Sequence, residues 1–212
     1  MPTASSPQSE AARAPSSRDR ILAAAKQLFA ARGYENTSTV AIARQAGTSE
    51  SQLMKHFGSK EGLLESIFDA GWEGLGKQIM SLQQLPSPGH KLQALLEATL
   101  TGLERDQELK QLMLLEGRRI RREGRMVLMT NGFLAYVGII DGILTDMRAA
   151  GQLRPDLNPQ AIRSGLIGMF EGILRDQLLA VRSGFPSTAN VKDLHQLFDV
   201  IIPALAPKTR NP

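Results

Sequence analysis

Few side chains in this sequence are placed to make or break bonds. There are no cysteines, so disulfides and thiolate metal sites are excluded. The three histidines, His56, His90 and His195, are scattered, and no His-rich metal cluster is evident. The chain carries no nucleophile elbow, no phosphate-cradling glycine loop and no Glu-x-x-His pair. No catalytic residue, metal or cofactor is expected. The polar groups that stand out lie in one short segment: Ser38 and Thr39, then Ser49, Glu50, Ser51 and Gln52, then Lys55, His56 and Lys60. Between Arg18 and Glu61 there are seven basic and four acidic residues, so most of the net charge of +4 sits there. This bias is consistent with an anionic partner.

These residues need helices to position them. Ser16 and Asp19 have capping-box spacing, so a first helix should begin near Ser16 or Ser17. Ile21, Leu22, Ala25, Leu28 and Phe29 then recur at helical spacing and give it one apolar face. Gly33 is its natural stop. A short second helix is expected over about 38–46. A third should start from Ser49 as N-cap, with Gln52 at the reciprocal capping position, and run to about Phe57. The turn Ala46-Gly47-Thr48-Ser49 wants left-handed backbone, which Gly47 supplies. Ile42, Ala43, Leu53 and Phe57 are spaced to face a shared core. A longer helix followed by two short ones across a tight turn makes a three-helix DNA-binding unit. A fourth helix should follow Gly58-Ser59, starting near Lys60 and carrying Leu63, Leu64, Ile67 and Phe68.

The run from Thr37 to Ser49, with Leu53, His56-Phe57 and Ser59-Lys60-Glu61-Gly62-Leu63-Leu64, closely resembles the DNA-binding domain of the tetracycline-repressor (TetR) family. Ile21 to Ala25, Leu28-Phe29 and Gly33-Tyr34 are similar to that family's first helix. The resemblance spans about 18–64; beyond it only the helical layout is similar. It implies that Ser38 and Thr39 hydrogen-bond a phosphate, where helix N-termini favour anions in any case. It also implies that Ser49, Glu50, Ser51 and Gln52, at the exposed start of the third helix, lie where base edges are read. Lys55, His56 and Lys60 would contact backbone phosphates. Two positions depart from the pattern. Met54 stands where the family usually has an aromatic residue and can make only apolar contact. Glu50 brings a negative charge to the groove entrance, where it either accepts from a cytosine amine or repels phosphate. Gln52 either reads a base or serves the cap.

The rest of the chain reads as helix after helix, with no sustained period-2 alternation, so the fold class is all-α. After Leu85-Pro86-Ser87-Pro88-Gly89, helices are expected near 90–105, 107–122 and 124–150. Another opens at Asn158-Pro159 and runs to about Ser183. A last one follows Asn190 and Asp193. The expected division is a disordered tail over 1–17, a DNA-binding domain over 18–64, a ligand-binding and dimerisation domain over 65–206, and a tail over 207–212.

The helix from Pro159 carries two apolar stripes, Ile162, Leu166, Met169 and Ile173, and Ile167, Phe170, Leu174, Leu178 and Val181. A surface helix needs one. Two suggest burial against its own domain and against a second copy, or full burial in a monomer; the resemblance favours a homodimer. Leu166, Phe170, Ile173, Leu174 and Phe198 are assigned to that interface. Methionines suit an adaptable apolar cavity, although they also serve as core filler. Met113, Met129, Tyr136 and Met169 are assigned to a ligand pocket, with Trp72, Asn131 and Glu171 as further candidates. The basic stretch from Arg118 to Arg125 reads as a solvated helix end or as a second anion site.

The longest apolar-rich uncharged run, between Arg125 and Asp141, falls short of the roughly 20 residues of a membrane span. A cytoplasmic protein without membrane contact is expected. The resemblance implies a DNA-binding transcriptional regulator and not an enzyme: a repressor held as a homodimer on palindromic double-stranded DNA. An apolar or amphipathic small molecule would release it. A DNA-binding regulator without effector, or a helical enzyme, are the alternatives.

Overall fold

The computed structural model describes residues 15–79, 84–120 and 124–207, with the side chains of 77–79 set aside. Among the described residues there are nine helices: α1 (Ser17–Arg32), α2 (Thr39–Gln45), α3 (Glu50–Phe57), α4 (Lys60–Ile79), α5 (Pro88–Arg105), α6 (Gln107–Glu116), α7 (Asn131–Ala149), α8 (Pro159–Ser183) and α9 (Val191–Ala204).

Local chemistry accounts for most of these boundaries. Ser16 accepts from the Asp19 amide and Asp19 accepts from the Ser16 amide, closing a complete capping box on α1. Asn190 and Asp193 do the same for α9. Asn158 caps α8, Pro159 follows at its first position, and Gly184 ends it in the left-handed conformation. Between α2 and α3, Gly47 takes φ +63, and the Thr48 amide turns back onto the Ala43 carbonyl at 3.0 Å.

The three-helix head packs Ile21, Leu28, Phe29, Ile42, Leu53 and Phe57 into one buried cluster. Thr37, buried in the loop before α2, donates to the Leu28 and Gly33 carbonyls, so the loop cannot swing away from α1 without stranding a hydroxyl. The head core continues without a break through Leu63, Leu64 and Phe68 of α4 into the body. There α4, α5 and α7 pack on one another, with α8 and α9 against them. Contact between α4 and α7 is close: a Cβ on Gly132 would lie 2.7 Å from Cβ of Trp72.

One stretch departs from the sequence reading. Instead of helices continuing to 122 and restarting at 124, α6 ends at Glu116 and α7 begins only at Asn131. Between them the chain doubles back, with an antiparallel bridge between Ile120 and Met126 and the Val127 amide donating to the Arg119 carbonyl at 2.9 Å. Gly124 takes φ +81, which an L side chain rarely adopts and a helix never uses. The helix start is set later by Thr130, whose hydroxyl accepts from the Phe133 amide. The basic stretch is therefore not a helix end; Arg121, Arg122 and Glu123 lie outside the described residues, as do the expected tails up to residue 14 and from 208.

Candidate DNA interface and an apolar cavity

The third helix is two-faced. Leu53 is fully buried and Phe57 nearly so, while Glu50, Ser51, Gln52, Met54, Lys55 and His56 are exposed. A helix with its apolar stripe locked into a small core and its polar side open is built to be inserted into a groove. Its N-terminus is capped by Ser49, whose hydroxyl accepts from the Gln52 amide at 3.2 Å. Among the described residues only this half of the cap forms, which leaves the Gln52 side-chain amide out of the cap. Ser38 caps α2 by accepting from the Ala41 amide. Thr39, next to it, donates its hydroxyl to the Glu50 carboxylate, so two of the expected DNA contacts are engaged with each other. Val40 and Met54 stand exposed beside them.

Lys60 faces inward more than the sequence suggests. Its ammonium lies 4.2 Å from the centroid of the Tyr34 ring and donates to the Glu35 carbonyl at 3.5 Å. Burial lowers its pKa. Arg119 of the body covers the same ring, with its guanidinium 4.5 Å from the centroid, and pairs with Glu35 at 2.6 Å and Glu116 at 2.5 Å. These bonds, led by the one to Glu116, raise the Arg119 pKa. Burial, reinforced by Glu61, pushes the Tyr34 hydroxyl up to about 12. Two further ties hold α1 to the body: Lys26 pairs with Asp106 at 2.6 Å, and Gln111 donates to the Ala30 carbonyl at 2.5 Å.

The body holds a partly open cavity of about 390 Å³. Its walls are mainly apolar, with Trp72, Met113, Leu128, Phe133, Phe170 and Leu174 among them. The Thr99 and Tyr136 hydroxyls also line it and are hydrogen-bonded to one another at 3.1 Å. Charged residues also border it: Arg118 and Glu171, and Lys110, which is largely covered and pairs with Glu104 at 2.5 Å. Arg118 pairs with Glu171 at 3.0 Å, and its own side chain is 68% exposed, so the lining there reaches solvent. Such a lining suits a molecule with a long apolar part and a charged end.

The sequence-assigned pocket residues divide here. Met113 and Tyr136 line the cavity; Met129 lies instead in a polar groove with Glu65 and Asp69, and Met169 packs at the edge of the core. Of the five residues assigned to a partner face, three are covered within the protomer. Leu166, Leu174 and Phe198 are buried inside the protomer, and Phe170 lines the cavity while stacking on Phe198 with centroids 6.4 Å apart. Ile173 packs partly buried against the core. On α8 and α9 the exposed large apolar residues are Val181 and Val200. Sequence reasoning missed Leu96, Thr99 and Leu103, whose spacing along α5 places them on one inward face.

Comparison with known proteins follows the same division. Residues 21–67 match the model of bacterial regulatory proteins of the tetR family, and residues 75–199 match that of the YsiA-like protein C-terminal region. The chain belongs to the TetR family: it is a DNA-binding transcriptional regulator, not an enzyme. Within that family its C-terminal region is of the YsiA-like kind. The fatty acid metabolism regulator protein of Bacillus subtilis (strain 168) is 27% identical over 157 residues, covering 72% of this chain and 78% of the relative. The fatty acid degradation regulator FadR of Bacillus halodurans shares the fold, with a TM-score of 0.74 at 22% identity over 95% of this chain and all of that one. So does FadR of Bacillus subtilis in complex with stearoyl-CoA, with a TM-score of 0.72 at 24% identity over 88% of this chain and 96% of that one. No helix among the described residues is long and apolar enough to cross a membrane.

Proposed function

We propose that this regulator is a homodimeric repressor that occupies a palindromic operator and leaves it when a long-chain acyl-CoA enters the body. The carrying observation is the cavity of about 390 Å³, apolar along most of its lining and charged at Lys110, Arg118 and Glu171. An acyl chain fits the first part by hydrophobic burial, and a phosphate-bearing head suits the cations of the second. The B. subtilis relative in complex with stearoyl-CoA supports the same ligand class.

On DNA, Ser38 and Thr39 approach a phosphate, Ser49, Glu50, Ser51, Gln52 and Met54 face base edges, and Lys55 and His56 flank them on the backbone. Lys60 supports the head from within. The second copy docks on the outer faces of α8 and α9, where Val181 and Val200 are exposed. Two heads on one two-fold axis then read two half-sites, and the protein works in the cytoplasm where its operator is. Domain limits near residue 64 and near residue 206 follow from the same division of labour.

The test has two stages. Selection of bound sequences from random DNA defines the operator. Fluorescence anisotropy on that operator, with and without stearoyl-CoA, then measures coupling. Operator affinity should fall by about 5- to 150-fold, the usual range of allosteric coupling. An operator affinity indifferent to saturating stearoyl-CoA overturns the proposal.

A further inference from the structure

The contacts that tie the head to the body are not equivalent. Lys26 to Asp106 and Ala30 to Gln111 attach α1 to the start and middle of α6. Arg119 differs because its backbone is continuous with the wall of the cavity. Arg118, one residue before it, lines the cavity and pairs with Glu171 of α8. The Arg119 carbonyl accepts from the Val127 amide, between Met126 and Leu128, which both line the cavity. At the foot of this wall Gly117 has no slack: a Cβ there would lie 2.5 Å from the Met113 carbonyl oxygen and 3.3 Å from Leu128.

On its other side Arg119 holds the head. Its guanidinium bridges Glu116 of the body to Glu35 of the head and lies on the Tyr34 ring. That ring also carries Lys60, the first residue of α4, and α4 reaches the cavity through Trp72. Tyr34 thus sits between the cations of two elements that both border the cavity.

We propose that Arg119 is the positioning residue that couples the cavity to the DNA-binding head: an occupant that displaces Met126 or Leu128, or draws Arg118 from Glu171, shifts Arg119 and loosens its hold on Glu35 and Tyr34. This rests on the reading of the cavity as an effector site. Glu35 is 70% exposed and Arg119 34%, and pairs so exposed add little to stability. Loss of Arg119 should therefore alter the coupling far more than the fold.

The experiment compares wild type with Arg119→Ala, Glu35→Ala, the double variant and Arg119→Lys. Each is titrated onto the selected operator with and without stearoyl-CoA. Binding of stearoyl-CoA itself is followed by the fluorescence of Trp72, the only tryptophan in the chain and part of the cavity wall. Wild type should show a ratio of operator affinities within the usual 5- to 150-fold range. In Arg119→Ala and Glu35→Ala the ratio should shrink to within about threefold of unity, well below that range, with stearoyl-CoA still bound. The double variant should lose no more than either single one, since both remove the same tie. Arg119→Lys keeps a cation over Tyr34 and should retain much of the response.

A wild type that ignores stearoyl-CoA removes the effector reading, and this proposal with it. A responsive wild type beside equally responsive Arg119→Ala and Glu35→Ala overturns the proposal and leaves the effector reading standing. Loss of stearoyl-CoA binding in Arg119→Ala also overturns it, because Arg119 would then be a ligand contact. Should Arg119→Ala fail to fold, Glu35→Ala, altered only on the head's surface, decides alone.

Discussion

The Thr39 hydroxyl donates to the Glu50 carboxylate, which ties the first residue of α2 to the first residue of α3. One bond thereby restrains two elements of the DNA-facing surface. It also means that Thr39 must leave Glu50 before it can donate to a phosphate.

Glu50→Gln removes a negative charge from that surface and weakens the restraint. Affinity for a random duplex should rise several-fold at low salt and the gain should fade as screening increases. Anisotropy across a salt series measures both. An unchanged affinity at low salt would show that the Glu50 carboxylate stays clear of the phosphates. If Glu50 reads a cytosine amine, the same variant loses about 1–3 kcal/mol of discrimination at one operator position.

Lys60→Ala should act mainly on the head's stability. Its ammonium lies over Tyr34 and is only partly buried, so the cation–π contact contributes about 0.5–1 kcal/mol, the lower part of the known range. Thermal unfolding should register that loss while the slope of log affinity against log salt stays nearly constant. A slope reduced by about one unit per half-site would instead return Lys60 to the phosphate backbone.

Phe170→Trp and Val181→Glu should separate cavity from interface. Phe170 lines the cavity, so an indole there takes up ligand space; calorimetry should find stearoyl-CoA weakened about tenfold or more, equivalent to 1.4 kcal/mol. Light scattering should find the dimer intact. Val181 is 88% exposed within the protomer, so a glutamate there leaves the fold alone but places charge in the proposed dimer contact. The opposite pattern, a dimer lost with Phe170→Trp and kept with Val181→Glu, would return the interface to Phe170.

The head was readable from residue types because its signals are local. Ser16 with Asp19, Gly47 in its turn, and the Leu53 and Phe57 pair on α3 each act over four residues or fewer. Asn158, Gly184, Asn190 and Asp193 bounded α8 and α9 in the same way. The stretch from Gly117 to Thr130 was not readable. Met126 to Met129 form an apolar run that satisfies a helical pattern, and only the pairing of Ile120 with Met126, followed by a turn at Val127 and Leu128, keeps it out of a helix. The two stripes of α8 correctly indicated a helix covered on more than one side. Periodicity carries no information about what does the covering, and here Phe170 meets Phe198 and the cavity. A charged cavity residue such as Lys110 was equally opaque, since along a helix it looks like any solvated face.

Val40 is 58% exposed and Met54 42%, and they are the large apolar side chains that the head leaves open. Phosphates offer them nothing. In the major groove, the group that welcomes them is the C5 methyl of thymine. Sequence preference at those positions then becomes a matter of oil rather than of hydrogen bonds. Uracil presents the same donors and acceptors as thymine without the methyl, so this surface would distinguish two bases that every polar contact reads alike.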